Sequence, residues 1–330
     1  SKKIRDDRVM GRAISISSEC QVRLFDALGE RFEDIKLDRS MYKACKEDID
    51  DLCGGIKSGQ GRILECLKSN KENLRSSCHQ KVFDREKIEF ESRDSLPKND
   101  FQFNMKCRNM ILKYCQDEED TLKCLRKHRN ELDFDDKCKE MIKSRMIEQG
   151  EDVRLNPSLL MKCQADIKEH CKEAIEKVQA GSSNWANKPD ELKGAILSCL
   201  REKFVEKKLT DDCSYEVSDF VRASAQEYKM NLPLRLRCQQ AIKEFCPHKS
   251  SGEMEECLKE AYMDRKLDAL TNMEACKNEI EQILNEGHTD INADPILQKT
   301  CSRDINALCA HVQPGNGRQI GCLMMQYQSP

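Results

Sequence analysis

The sequence predicts an all-α protein, an elongated tandem array of disulfide-stapled helical repeats of roughly 60 residues each. Three observations support this fold class. The chain has 20 cysteines in 330 residues, far more than a reduced cytosolic protein usually carries. A nine-residue phrase bounded by two cysteines occurs five times. Apolar residues around each phrase recur every four residues, which indicates helices rather than strands.

The repeated phrase defines the register of the array. It reads CKEDIDDLC at 45, CRNMILKYC at 107, CQADIKEHC at 163, CQQAIKEFC at 238 and CSRDINALC at 301. A third cysteine, always followed by leucine, comes later in each repeat: Cys66, Cys124, Cys199, Cys257 and Cys322. A fourth cysteine follows in four repeats: Cys78, Cys138, Cys213 and Cys276. We interpret Cys20 as the fourth cysteine of a preceding repeat.

Each repeat carries signals for a first and a third helix. Seven positions before the phrase stands a residue that favours the helix N-cap: Asp38, Asp100, Asn156, Asn231 and Asp294. An apolar residue, Cys, Ile and Cys then follow at four-residue intervals, which places them on one helical stripe. Four residues beyond the fourth cysteine lies another apolar residue, which predicts a third helix: Leu24, Val82, Ile142, Val217 and Ile280. These signals predict units at 1–37, 38–99, 100–155, 156–230, 231–293 and 294–330, the first and last being partial repeats.

Helix geometry constrains the disulfides. Two cysteines eight residues apart on one helix are about 12 Å apart, too far to bond each other. Each must therefore reach a neighbouring helix. The within-repeat prediction joins first to fourth and second to third cysteines: Cys45–Cys78, Cys53–Cys66, Cys107–Cys138, Cys115–Cys124, Cys163–Cys213, Cys171–Cys199, Cys238–Cys276, Cys246–Cys257 and Cys309–Cys322. An alternative pairs the fourth cysteine with the next first one, 25 residues on, at 20/45, 138/163, 213/238 and 276/301. The within-repeat scheme leaves Cys20 and Cys301 without a partner, whereas the alternative does not.

Segments of the first repeat resemble a known family. YKACKEDIDDLC, GRILECLKSNKENL and CHQKVF are similar to the cysteine-rich repeats of the Golgi apparatus protein 1 family, also described as cysteine-rich fibroblast growth factor receptors and E-selectin ligands. The likeness extends over the whole chain and is greatest to the repeats before the membrane anchor. It implies a Golgi membrane protein with a luminal ectodomain that binds growth factors, and it transfers no catalytic residue.

Composition and motifs exclude several other functions. The net charge of −3 does not favour nucleic acid as a partner, and no run of 18 apolar residues exists. No Cys-x-x-Cys pair is present, so we predict no metal and no cofactor. The six histidines are scattered and no glycine-flanked serine is present, so we predict no enzyme. The glycines in SGQGRILEC and PGNGRQIGC are expected to form turns, not phosphate loops. The sequence Asn-Pro-Ser at 156 is not an N-glycan acceptor because of its proline. We expect a piece of a longer secretory-pathway protein.

Two features are candidate ligand contacts. The acidic runs 47–51 and 117–120 favour a basic protein partner, and Asp50, Asp51, Glu118 and Glu119 are the candidate residues. Trp185, the single tryptophan, lies in a long insertion that contains Gly181, Ser182 and Ser183. A solvated charged face and a tryptophan that folds back on its own repeat are the alternatives for these features.

The sequence therefore predicts a non-catalytic luminal binding scaffold. Fibroblast growth factors are the expected ligands, and an effect on their trafficking or secretion is the expected role. The alternative is a structural spacer or ligand-presenting stalk, with selectin bound through glycans outside this chain. We expect the luminal side of the Golgi membrane, through an anchor outside this chain, with the cell surface or secretion after shedding as the alternative.

Overall fold

The computed structural model describes residues 31, 33–91, 100–116, 118, 120–174, 176, 194–313, 315 and 317–328. All regular secondary structure in these ranges is helical, as predicted. The chain divides into two compact units, residues 1–138 and 139–330. The division falls within a helix of the second repeat.

Each of the first four repeats contains a first, a second and a third helix, and the fifth contains a first and a second. In the first repeat these are α1 (Arg39–Leu52), α2 (Arg62–Ser69) and α3 (Ser76–Glu91). The second repeat has α4 (Phe101–Tyr114), α5 (Thr121–His128) and α6 (Asp136–Glu151). In the third and fourth repeats the first helix is divided at its first cysteine. The third repeat has α7 (Pro157–Lys162), α8 (Gln164–His170), α9 (Ala195–Val205) and α10 (Asp211–Gln226), and the fourth has α11 (Leu232–Arg237), α12 (Gln239–Phe245), α13 (Met254–Met263) and α14 (Glu274–Thr289). The fifth has α15 (Pro295–Leu308) and α16 (Arg318–Gln328).

The predicted N-caps are confirmed in all five repeats. The side chain of each cap accepts a hydrogen bond from the backbone N–H three residues on, as from Met41 to Asp38 at 3.0 Å. This bond satisfies one of the amides that a helix start leaves without a partner. The apolar residue that donates this N–H is buried in the first four repeats: Met41, Phe103, Leu159 and Leu234.

The helices pack around two classes of disulfide. The core class joins the first helix to the third: Cys45–Cys78, Cys107–Cys138, Cys163–Cys213 and Cys238–Cys276. All eight of these cysteines are 0% exposed. The rim class joins the end of the first helix to the second: Cys53–Cys66, Cys115–Cys124, Cys171–Cys199, Cys246–Cys257 and Cys309–Cys322. Cys66 and Cys199 in this class are partly exposed.

These nine pairs are those of the within-repeat scheme. The junction pairs do not form, because the described cysteine that each would need is bonded inside its own repeat. Cys301 is free and partly exposed, and Cys20 lies outside the described residues. The core disulfides pack with the third helices, where Val82, Ile142, Val217 and Ile280 are buried as the sequence predicts, and Leu24 lies outside the described residues.

A short connector joins a third helix to the next repeat at the four junctions that the structure describes, whereas residues 92–99, which follow α3, lie outside the described residues. It is a turn of 3₁₀ helix that starts after an acidic cap, 14 residues beyond the fourth cysteine, and ends at the next N-cap. The carboxylate accepts a hydrogen bond from the amide two residues on, as from Arg154 to Asp152 at 2.8 Å. The connectors read DIKLD at 34, DVRLN at 152, EYKMN at 227 and DINAD at 290. The four described connectors therefore share one backbone turn and one kind of cap.

Glycines hold the second helix against the preceding repeat. The N–H of Gly61 donates to the carbonyl of Glu33 at 2.7 Å, and the N–H of Gly317 donates to the carbonyl of Thr289. Both glycines have left-handed backbones, with φ of 68° and 70°, which residues with a side chain rarely adopt. The glycines of SGQGR and PGNGR therefore form turns into α2 and α16, as the sequence predicts.

In the second unit, a third helix also contacts the end of the next repeat. Gly150, near the end of α6, lies so close to the connector after α10 that a Cβ there would be 2.1 Å from the Met230 carbonyl oxygen. Ser218 on α10 likewise donates a hydrogen bond to Asp290 in the following connector, at 2.6 Å. A third helix thus contacts the connector that closes the next repeat.

We predict that the two disulfide classes open in order under increasing reductant. The core cysteines are fully buried, whereas the rim class includes partly exposed cysteine residues, so we expect thiols to reach the rim class first. Differential alkylation followed by mass spectrometry should find Cys66 and Cys199 labelled before Cys45 or Cys163. Simultaneous labelling of both classes would mean that each repeat unfolds as a whole before any bond opens.

We predict that Gly150→Ala destabilises the chain by at least about 2–3 kcal/mol. Helix propensity alone would make alanine about 1 kcal/mol more stable than glycine at this position. A loss of stability would therefore come from the clash of the new Cβ with the Met230 backbone. Gly321→Ala is the matched control, because Gly321 lies inside helix α16 and a Cβ there would meet nothing within 4 Å. Thermal unfolding of both variants tests this, and an unchanged midpoint for Gly150→Ala would contradict the close approach.

Candidate binding surface

The acidic run 47–51 in α1 is divided between two roles. Asp48 is 1% exposed and accepts hydrogen bonds from the backbone N–H of Arg75, at 3.2 Å, and from its guanidinium, at 2.9 Å. These bonds anchor the segment that leads into α3. Asp48 therefore belongs neither to a solvated face nor to a ligand surface, because it supplies a partner for an amide at the start of the third helix.

Arg75 also covers part of the remaining acidic surface. Its guanidinium lies 2.9 Å from Asp51 and 3.1 Å from Glu47, and these carboxylates stay exposed. The hydrogen bonds to Asp51 and Asp48 raise the pKa of Arg75, so it remains a cation. Asp50 is exposed and forms no ion pair within the described residues. Of the two candidate residues in this run, Asp50 is available to a ligand, whereas Asp51 is paired with Arg75.

The position three residues after the first cysteine anchors the third helix in other repeats as well. Asp166 is 2% exposed and accepts from both the backbone N–H and the hydroxyl of Thr210, each at 2.8 Å. In the second repeat the sulfur of Met110 accepts from the N–H of Asp135 at 3.4 Å. The acidic character of the phrase is thus partly structural.

The second acidic run lies between α4 and α5. Glu118 is exposed there, and Asp120 caps α5 by accepting from the N–H of Lys123 at 2.9 Å. Glu119 and Trp185 lie outside the described residues. The described part of the candidate surface in the first unit therefore consists of Asp50 and Glu118, with Asp51 partly neutralised.

A buried charged cluster, which was not predicted from the sequence, joins the third and fourth repeats. Arg201 on α9 donates to both oxygens of Glu286, at 2.7 and 3.0 Å, and to Glu279 at 2.7 Å. A further bond of 3.3 Å reaches Asn231, the N-cap of the fourth repeat. Burial alone would lower the pKa of Arg201, but Glu286 and Glu279 outweigh it and raise that pKa.

A sequence signal for this cluster exists. A basic residue follows the Cys-Leu pair in the first four repeats: Lys68, Arg126, Arg201 and Lys259. Lys259, like Arg201, contacts the N-cap of the next repeat, at 2.8 Å from Asp294. Lys68 instead pairs with Glu89 on the third helix of its own repeat. The fifth repeat has Met324 at this position.

The described residues offer surfaces rather than a reaction centre. Within the described ranges, no three histidine, cysteine or carboxylate side chains converge as a metal site would require. None of the helices that the structure describes has the length and hydropathy needed to span a membrane. What the geometry presents is a set of rigidly held helix surfaces that carry exposed charges.

Comparisons with known proteins place the chain in a family. The family model described as "Cysteine rich repeat" matches residues 18–75, 76–133, 136–208, 211–266 and 274–330. After the first, these segments begin close to a third helix, whereas the units predicted above begin at a first helix. The segments of the family model and the predicted units therefore begin at different helices of the repeat, and the predicted unit boundaries stay a prediction. No solved structure matches the chain significantly.

Several Golgi proteins are similar to the whole chain. Golgi apparatus protein 1 from Homo sapiens is 35% identical over 98% of the chain, and that from Gallus gallus is 34% identical over the same share. A Golgi apparatus protein 1 homolog from Caenorhabditis elegans is 29% identical over 97% of the chain. The chain spans only 27%, 28% and 29% of these proteins, respectively. Because the family model matches five consecutive segments from residue 18 to residue 330, the chain belongs to the cysteine-rich repeat family represented in Golgi apparatus protein 1.

Proposed function

We propose that this chain is a non-catalytic binding scaffold that acts in the lumen of the Golgi apparatus and engages basic growth factors of the fibroblast growth factor class. The observation that carries the proposal is the disulfide framework. Nine disulfides hold the described helices, so their exposed side chains form a surface that loses little conformational entropy on binding.

Names of the related sequences support the partner and the compartment. The matching family model carries the label Cys_rich_FGFR, and the curated relatives are named for the Golgi apparatus. A disulfide-rich chain fits the oxidising lumen of the secretory pathway. Membrane attachment, in this proposal, comes from an anchor outside the chain.

Electrostatics supports a basic ligand in the first unit. Asp50 and Glu118 are exposed carboxylates, and Asp51 adds charge that Arg75 only partly neutralises. Charges of this kind mainly accelerate the encounter with a basic partner, and salt screens them over about 8 Å at physiological ionic strength. The acidic surface would therefore steer a ligand, while close contacts elsewhere hold it.

We predict that neutralising Asp50, Asp51, Glu118 and Glu119 to their amides slows association with a fibroblast growth factor by roughly three- to tenfold at low salt. The matched control neutralises four exposed glutamates in the second unit: Glu169, Glu173, Glu244 and Glu260. Surface plasmon resonance at two salt concentrations gives both rates. Tight binding that ignores salt and all four changes would refute the acidic steering. Absence of binding by the unmodified chain at any salt would favour the spacer.

We predict that Trp185→Ala raises the dissociation rate of the same ligand by about tenfold or more, with little change in the association rate. A tryptophan that anchors a ligand contributes contact area only once the complex has formed, so its removal speeds dissociation and leaves the encounter unchanged. Trp185→Phe, which keeps an aromatic ring, should restore part of the residence time. An unchanged dissociation rate for Trp185→Ala would mean that the insertion does not hold the ligand.

A further inference from the structure

The junction between the third and fourth repeats buries more carboxylates than cations. Glu255 on α13, with Glu279 and Glu286 on α14, is 6% exposed or less, as are the other two. Arg201 donates hydrogen bonds to Glu279, Glu286 and Asn231. Glu255 receives none of them and forms no ion pair within the described residues.

The charged groups around Glu255 come from several elements. Lys259, one turn further along α13, is bonded to Asp294 at 2.8 Å and lies 3.7 Å from Glu256. Arg237 on α11 pairs with Glu279 at 3.2 Å. The charged residues of α12 and of the 3₁₀ turn after α13 are exposed to solvent: Lys243, Glu244, Lys266 and Asp268.

Counting the charges explains why one carboxyl has no partner. The fully ionised cluster would hold five anions, Glu255, Glu256, Glu279, Glu286 and Asp294, against three cations, Arg201, Arg237 and Lys259. Negative charge is therefore in excess, and Glu255 is the buried carboxylate of this set that has no bonded cation within the described residues. A buried ionised carboxylate without a partner is costly, and taking up a proton removes that cost.

The pKa values agree with this assignment. Burial raises the pKa of Glu255 to about 8, against the lowering effect of Lys259. Burial also raises the pKa of Glu286 despite Arg201. For Lys259, burial alone would lower the pKa, but the hydrogen bond to Asp294 outweighs it and raises that pKa. The cations thus keep their charge while Glu255 gains or loses its proton.

We propose that Glu255 is a pH-sensitive latch on the junction between the third and fourth repeats, closed when its carboxyl carries a proton and loosened when the carboxyl ionises. Ionisation leaves an unpaired buried charge on α13, and the negative charges of Glu286 and Glu279 on α14 oppose it. The core disulfides hold each repeat together, so the response is an opening of the junction rather than unfolding.

The direction of the pH dependence follows from proton binding. The folded chain holds the Glu255 proton more tightly than the unfolded chain, whose carboxyl has an ordinary pKa of 4.5. The stabilisation is complete below 4.5 and is lost as pH rises toward about 8. Across that window this one group increases the opening equilibrium constant by about tenfold per pH unit. The junction is therefore firmer in a mildly acidic compartment than at alkaline pH.

Hydrogen exchange of the whole chain tests the latch. After correction for the intrinsic exchange rate, protection of amides in α13 and α14 should fall by about tenfold or more between about pH 6 and about pH 8. Helices α1 and α3 of the first repeat serve as the internal reference. Glu255→Gln, which mimics the protonated form, should abolish this difference, whereas Glu260→Gln, exposed on the same helix, should keep it. If amide protection in the Glu255→Gln chain falls with pH as much as in the unmodified protein, the proposal is overturned.

Infrared spectroscopy of the unmodified chain gives a second test that needs no variant to fold. With ¹³C-labelled glutamate, the carbonyl stretch of a protonated carboxyl should persist at about pH 6, where ordinary glutamates are ionised, and should disappear as pH rises past about 8. Absence of this band at about pH 6 would show that every glutamate is ionised, and the latch would be excluded.

Discussion

The bond between the first and third helices is the constraint on which the rest of each repeat depends. Its two cysteines are fully buried, so the disulfide replaces part of the apolar core that a 60-residue helical unit of this composition could not supply. Once Cys45 and Cys78 are joined, the stripe of Met41 and Ile49 has a surface to pack against. Closing a loop of this size also stabilises the unit by about 2–4 kcal/mol, largely through the unfolded state.

Contacts between neighbouring repeats include hydrogen bonds and ion pairs as well as the buried apolar residues of the connectors. The glycine amides of Gly61 and Gly317 meet the end of the preceding third helix, and the basic residue after the Cys-Leu pair can reach the next N-cap. Such polar contacts are sensitive to geometry and to protonation, whereas the disulfide cores are not. A repeat can therefore stay intact while its junction responds to its surroundings.

Regular features were predictable from the sequence because they recur with a fixed spacing. The N-caps, the helical stripe of the phrase and the buried residue after the fourth cysteine all follow from single-helix periodicity. The role of Asp48 was missed, because an acidic residue in a polar run gives no local sign that it anchors another helix. The burial of Arg201 and the tight approach of Gly150 to Met230 depend on contacts between distant segments. Aligning the repeats on the fourth cysteine, 14 residues before each connector, would have found the connectors.

The two disulfide classes are nested, with the second-to-third bond lying inside the loop that the first-to-fourth bond closes. A pulling force along the chain therefore passes through the outer crosslink and bypasses everything between its two cysteines. In the third repeat that enclosed segment runs from Cys163 to Cys213, a separation of 50 residues, and includes the insertion with Trp185. Insertions can consequently grow or shrink there without changing the load path or the extensible length of the array, which leaves this segment open to variation.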